Sequence, residues 1–187
     1  MTSAPPKRRV WLRPSIDAGN AMQIAGLVLG CLLLMTAAQA RAASLAVLAM
    51  LAGLLLIYLS CHAIAHWLVG RSLGIRFRGY TIGGTSKPEA WPVGLRWIMD
   101  HAPFFGVLTD SDSMKTAAPA AKAAMWSAGV TSSAVVPTLA AFWSAHAHVR
   151  MSKAVFLFLL VWSIGTVIAN LAGPSGDYFK ARMALKA

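Results

Sequence analysis

Charge is what this sequence has least of. Only 12% of its 187 residues are charged, and of the six acidic residues a single one, Glu89, is a glutamate. No Asp, Glu, Lys or Arg falls in 18–40, 42–70, 123–149 or 154–176. Each gap exceeds the roughly 20 residues a helix needs to cross the hydrocarbon core. With 57% hydrophobic residues, the composition excludes an ordinary soluble domain. Cysteine is scarce as well. Cys31 and Cys61 both fall inside apolar runs and form no spaced framework, so no disulfide is expected and both read as small buried packing residues. The shortage of acid leaves a net charge of +11. The cations form no long basic tract and sit in no nucleic-acid-binding motif, so they read as loop residues facing anionic headgroups, and no nucleic-acid partner is expected.

What is there is apolar helix. The pattern predicts an all-α polytopic membrane protein with about four transmembrane helices, at 21–40, 45–70, 122–146 and 154–172. The first run follows Lys7, Arg8, Arg9 and Arg13, as a signal peptide would, and Thr36 to Ala40 holds small residues like those of a cleavage site. The run is longer than an h-region of roughly 7–15 residues, so it is expected to stay as a helix. With the N-terminus inside, inner segments carry fourteen Lys and Arg, while outer segments carry only Arg41, Arg150 and Lys153. That bias places both termini in the cytoplasm of a bacterial-type inner or plasma membrane. Residues 1–17 form a basic, Pro-containing tail, expected to be disordered or to lie along the membrane surface.

The cytoplasmic segment 71–119 contains Ile75, Phe77, Tyr80 and Ile82 among arginines, followed by Gly83 and Gly84. It reads as a small β-strand or β-hairpin-like insertion. Trp91, Trp97, Phe104 and Phe105 then suggest an interfacial, partly re-entrant stretch. Gly26 and Gly30 make a small-xxx-small pair suited to a close helix contact, and Thr131, Ser132 and Ser133 suit polar packing between helices. Pro137 is expected to kink its helix. Residues 177–187 can form a short basic amphipathic helix.

The chemistry centres on His62 and His66, four residues apart on one helical face. Ionisable groups inside a membrane are costly and point to function, and this spacing presents two nitrogen ligands to one metal. A third ligand can come from Asp177, behind the Gly/Pro break after the fourth helix. Alternatively, Asp177 caps the terminal helix and the histidines serve packing. His101 reads as a surface residue, and His146 and His148 as interfacial ones.

The stretch HAIAHWLVGRSLGIRFRGYTIGG, from His62 to Gly84, and NLAGPSGD, from Asn170 to Asp177, resemble the two signatures of the site-2 protease family of intramembrane zinc metalloproteases. The resemblance covers about 45–187. It implies a site-2-protease-like membrane domain over 42–187, with 18–41 as an additional transmembrane helix. It also implies zinc held by His62, His66 and Asp177, and Asn170 beside the substrate or oxyanion. A substrate-receiving strand would include Tyr80, Ile82, Gly83 and Gly84 and act by strand addition. Three departures stand out. Ala63 occupies the place of the catalytic Glu, Tyr178 replaces the Gly after the Asp, and the stretch from Gly129 to Ser133 lacks the expected Pro and Asn. A methyl group cannot carry the proton from metal-bound water. Glu89, Asp100, Asp110 or Asp112 would have to substitute. The resemblance therefore implies a non-proteolytic or degenerate homologue that keeps its metal and binds a membrane segment, a lipid or a subunit of a membrane complex. The alternatives are an active protease with a substituted base and a structural subunit without metal.

Overall fold

A computed structural model describes residues 9–85, 93–173 and 176–186. Four helices are long and apolar enough to cross a bilayer: α1 (Ile16–Gln39), α2 (Ala43–Ser72), α5 (Pro119–His146) and α6 (Ser152–Ala172). Between and around them lie β1 (Val10–Leu12), β2 (Phe77–Gly83), α3 (Val93–His101), β3 (Phe104–Thr109), α4 (Ser111–Thr116) and α7 (Asp177–Ala184). Local chemistry sets the boundaries. Ser15 caps α1 by accepting from the Ala18 amide, Asp110 caps α4 by accepting from the Ser113 amide, and Pro119 opens α5, where its missing N–H is harmless.

The long helices carry apolar residues outward as well as inward. Leu29, Leu48, Leu139 and Val161 are half-exposed or more, a surface that suits lipid rather than water. Within the bundle α1 packs on α2, α2 on α5, and α5 on α6. The expected close approach of Gly30 is present. A Cβ there would lie 2.7 Å from Ile57 Cγ1 and 2.9 Å from the Gly53 carbonyl, so α1 and α2 meet backbone to backbone. Leu34, Ala46, Met50, Leu54 and Ala141 fill the core beside this contact. Polar packing appears where Thr131 to Ser133 suggested it. The Ser132 hydroxyl donates to the Cys61 and Gly129 carbonyls, at 3.0 and 2.8 Å. Pro137 is buried inside α5, whose helix runs on past it. Cys61 is buried, whereas Cys31 faces outward, contrary to its reading as a buried packing residue. Its helix turns that face away from α2.

The insertion is a three-stranded antiparallel sheet in the order β1-β2-β3. The strand expected around 76–84 is its centre, with Tyr80 opposite Val107 and Ile82 opposite Phe105. Residues 10–12 of the tail, expected to be loose, form the other flanking strand, with Val10 opposite Gly83. Tyr80 explains why. Its amide donates to the Pro14 carbonyl at 2.9 Å and its buried phenol donates to Asn20 Oδ1 at 2.5 Å, tying the chain entry and α1 to the sheet. Burial pushes that phenol up to about 12, against an opposing pull from Gln23, so it stays a neutral donor. Residues 1–8, 86–92, 174–175 and 187 lie outside the described set. The readings of Trp91 as interfacial and of Glu89 as a substitute base fall there.

Candidate metal centre

The sheet sits at the end of the bundle where α2 finishes, and there the histidines find partners. His62 and His66 project from α2 toward α5, and α7 brings Asp177 to them. His66 Nε2 lies 3.2 Å from His62 Nε2, His66 Nε2 lies 3.2 Å from Asp177 Oδ2, and His62 Nε2 lies 3.3 Å from the same oxygen. The three atoms form a nearly equilateral triangle. Bonds of about 2.0–2.1 Å, as zinc makes to nitrogen and oxygen, give a tetrahedron with edges of about 3.3 Å. The triangle matches one such face.

The surroundings orient the ligand atoms. The Met125 carbonyl can only accept, so His66 Nδ1 carries a proton and donates to it at 2.6 Å. Nε2 is then the ring nitrogen of His66 that faces Asp177 and His62. His62 Nδ1 is held 3.0 Å from Ser133 Oγ. A lone pair facing a carboxylate oxygen at 3.2 Å is repulsive unless a proton or a cation lies between them. Such outer hydrogen bonds are how proteins fix metal-ligating histidines. Gly129 completes the setting. A Cβ there would come within 2.6 Å of His66 Cδ2 and Cε1, so only glycine lets the imidazole lie flat against α5. Trp126 meets the same ring edge-on, with centroids 5.7 Å apart.

Asp177 is the first residue of α7, and the capping position is Gly176, at φ 136°. Asn170 holds this turn: its Oδ1 accepts from the Asp177 amide at 3.3 Å, and its Nδ2 donates to the Thr166 carbonyl at 3.0 Å. Both ends of its amide are thus used in positioning Asp177. Burial raises the Asp177 carboxyl, but hydrogen bonds to His62 and His66, with the charges of His66 and Lys180, outweigh it and hold the group well below the usual carboxylate range. Asp177 therefore faces the two imidazoles as an anion. Its second oxygen accepts from Lys180 Nζ at 2.9 Å, and the same ammonium sits 4.2 Å above the Trp126 ring.

Beside the triangle lies a cavity of about 390 Å³. His62, His66, Trp126, Ser133, Asp177 and Lys180 form its polar wall, and Gly84 with residues 104–107 of β3 forms the other. Of the residues expected to receive substrate, Gly84 lines this cavity, while Tyr80, Ile82 and Gly83 lie buried in the sheet. Ala63 is fully buried and does not line it. Asp100 pairs with Arg9, Asp110 with Arg78, and Asp112 with Lys115. His101 stacks on Trp97. Among the described residues, Asp177 is the only carboxylate on the cavity wall. Sequence reasoning missed Gly129, Ser133 and Met125 as partners of the histidines, and missed Lys180, which the three-residue spacing from Asp177 on a short helix could have flagged.

The fold and the cluster define a helical protein with four potential bilayer-crossing helices and a His/His/Asp group able to hold a metal ion. No protein-family model, curated protein or solved structure matches this chain.

Proposed function

We propose that this chain is an integral membrane protein of the site-2 protease type that keeps the metal centre, has lost the hydrolytic proton carrier, and binds a membrane-embedded ligand beside the metal. The observation that carries this reading is the triangle of Nε2, Nε2 and Oδ2 atoms with zinc-sized edges, set next to a position 63 that holds only a buried methyl. His62, His66 and Asp177 would hold the ion, and bound zinc supplies Lewis acidity. The chain's own residues do the rest. Met125 and Ser133 orient the imidazoles, Asn170 and Gly176 place the carboxylate, and Lys180 adds a cationic wall. Hydrolysis would also need a carboxylate to take and return a proton, and among the described residues the only carboxylate at the cavity is Asp177, which would be taken up by the metal. The charge bias of the loops supports both termini, and hence this site, facing the cytoplasm. β3, an outer strand of the sheet, forms one side of the cavity in which that ligand would sit.

The test is the metal content of the detergent-purified protein beside a His62→Ala, His66→Ala double variant. A single zinc per chain, absent from the variant, is expected. Absence of metal from both would leave a structural membrane subunit. Chelator-sensitive cleavage of a membrane-anchored peptide by the natural chain, abolished by His66→Ala, would overturn the loss of hydrolysis.

A further inference from the structure

A groove between α2 and α6 leads away from the metal cavity. The two helices both pack on α5, and between them, with Met99 of α3 at the side, lies an apolar trough of about 470 Å³ lined by Leu51, Leu55, Tyr58, Phe158 and Trp162. Tyr58 is common to both spaces, lining the trough and the metal cavity alike, so the two adjoin at its side chain. On the cavity side, Lys180 presents an ammonium group that spends one bond on Asp177 Oδ1, leaving further donor capacity facing the cavity. With a divalent cation held by the triad, that ion and Lys180 against one carboxylate would make the cavity a cationic head site beside an apolar trough.

We propose that this pair of spaces takes a long-chain fatty carboxylate, its head at Lys180 beside the metal and its chain in the α2–α6 trough. The proposal rests on the metal reading above and names the ligand class for that site. The apolar lining favours a single alkyl chain over a peptide. A helix is about 10–12 Å across with its side chains, and an extended peptide would bring backbone N–H and C=O groups that the apolar trough cannot pair. An alkyl chain brings none, and the space is of the order of one fatty acyl chain. The charge at the cavity end separates a carboxylate from an uncharged lipid, because its desolvated head finds both a cation and hydrogen-bond donors there.

The experiment uses the full chain in nanodiscs of zwitterionic lipid, with a photoreactive palmitic acid as probe and the metal content measured on the same samples. Labelling is expected on the trough-facing residues of α2 and α6. Palmitate should displace the probe, while hexadecanol, with the chain but no charge, and acetate, with the charge but no chain, should not. Lys180→Gln should weaken the binding about tenfold, the order expected from loss of one charged hydrogen bond. Leu55→Trp, at a position 57% exposed, should block the trough while leaving the metal in place. Displacement by hexadecanol as effective as by palmitate, labelling outside the trough, or no effect of Lys180→Gln overturns the proposal. If zinc is present in that case, the metal reading stands alone. Protein without zinc that still selects palmitate through Lys180 keeps the carboxylate site and overturns the metal reading.

Discussion

The two ends of this helical bundle are held together in opposite ways. At one end α1, α2 and α5 meet through Gly30, Gly53, Ala46, Met50 and Ala141, with shape alone to match them. At the other, α2, α5 and α7 meet through His62, His66, Ser133, the Met125 carbonyl, Asp177 and Lys180, each placed by a hydrogen bond or an ion pair. Packing contacts are individually weak and spread over many atoms. A polar network in apolar surroundings concentrates its consequences in a few groups. Conservative changes at the first end should therefore alter stability gradually. Changes of a single atom at the second should alter metal binding sharply.

The largest effect is expected at Gly129. Even alanine there would drive its Cβ into the His66 ring, which the Met125 carbonyl holds in place from another side. Sites of this kind need their geometry to within about 0.5 Å. Gly129→Ala should cost zinc affinity at or beyond the top of the roughly 10–100-fold range seen when the partners of metal ligands are altered, with the helical content unchanged by circular dichroism. Normal zinc affinity in this variant would break the comparison. Ser133→Ala is milder. It leaves His62 in place but removes the group 3.0 Å from its Nδ1, and zinc affinity measured by competition with a chelator should fall within that same range of about 10–100-fold.

At the packed end the readout changes. Gly30→Leu forces α1 from α2 at the point where Gly53 offers only a carbonyl and Ile57 a side chain. Overpacking of this sort costs about 1–3 kcal/mol. It should appear as a lowered midpoint of thermal unfolding in detergent, with zinc content retained. Loss of zinc with Gly30→Leu would show that the two ends are one cooperative unit and would erase the contrast.

The same contrast governs what the sequence could reveal. The four long helices were legible because an uncharged run of the right length is a local property, and their ends fall within a few residues of the expected positions. His62 and His66 were legible for the same reason, since four residues along a helix is a local distance. The sheet was only half legible. β2 could be read from its own alternation, but β1 gains its partner about seventy residues away, and nothing within residues 10–12 announces that pairing. Likewise Gly129 looks like any small residue in an apolar helix until His66 is seen against it. Candidate ligands on one helix can be named from spacing, whereas the residues that orient them come from other helices and need the tertiary fold.

The smallest predicted effect lies outside both ends, where β3 turns into α4. Asp110 accepts from the Ser113 amide at 3.0 Å and from Arg78 Nε at 3.0 Å, with Arg76 more distant. The bond from Ser113 comes first and the arginine second in holding its carboxyl below the usual range. A carboxyl depressed in the folded state contributes stability that is present above its unfolded value of about 3.9 and lost as pH falls through the lower folded value. The arginines keep their charge throughout, so the change belongs to Asp110. The amide resonance of Ser113, followed by NMR during acidification, should shift with a midpoint below the unfolded value of about 3.9. In Asp110→Asn that titration should vanish while the helix start persists, because asparagine caps as well as aspartate. A midpoint at or above about 3.9 would mean that the arginine and amide contacts do not hold in solution. This turn would then be set by the β2–β3 pairing alone, nearer in kind to the packed end of the bundle than to the metal end.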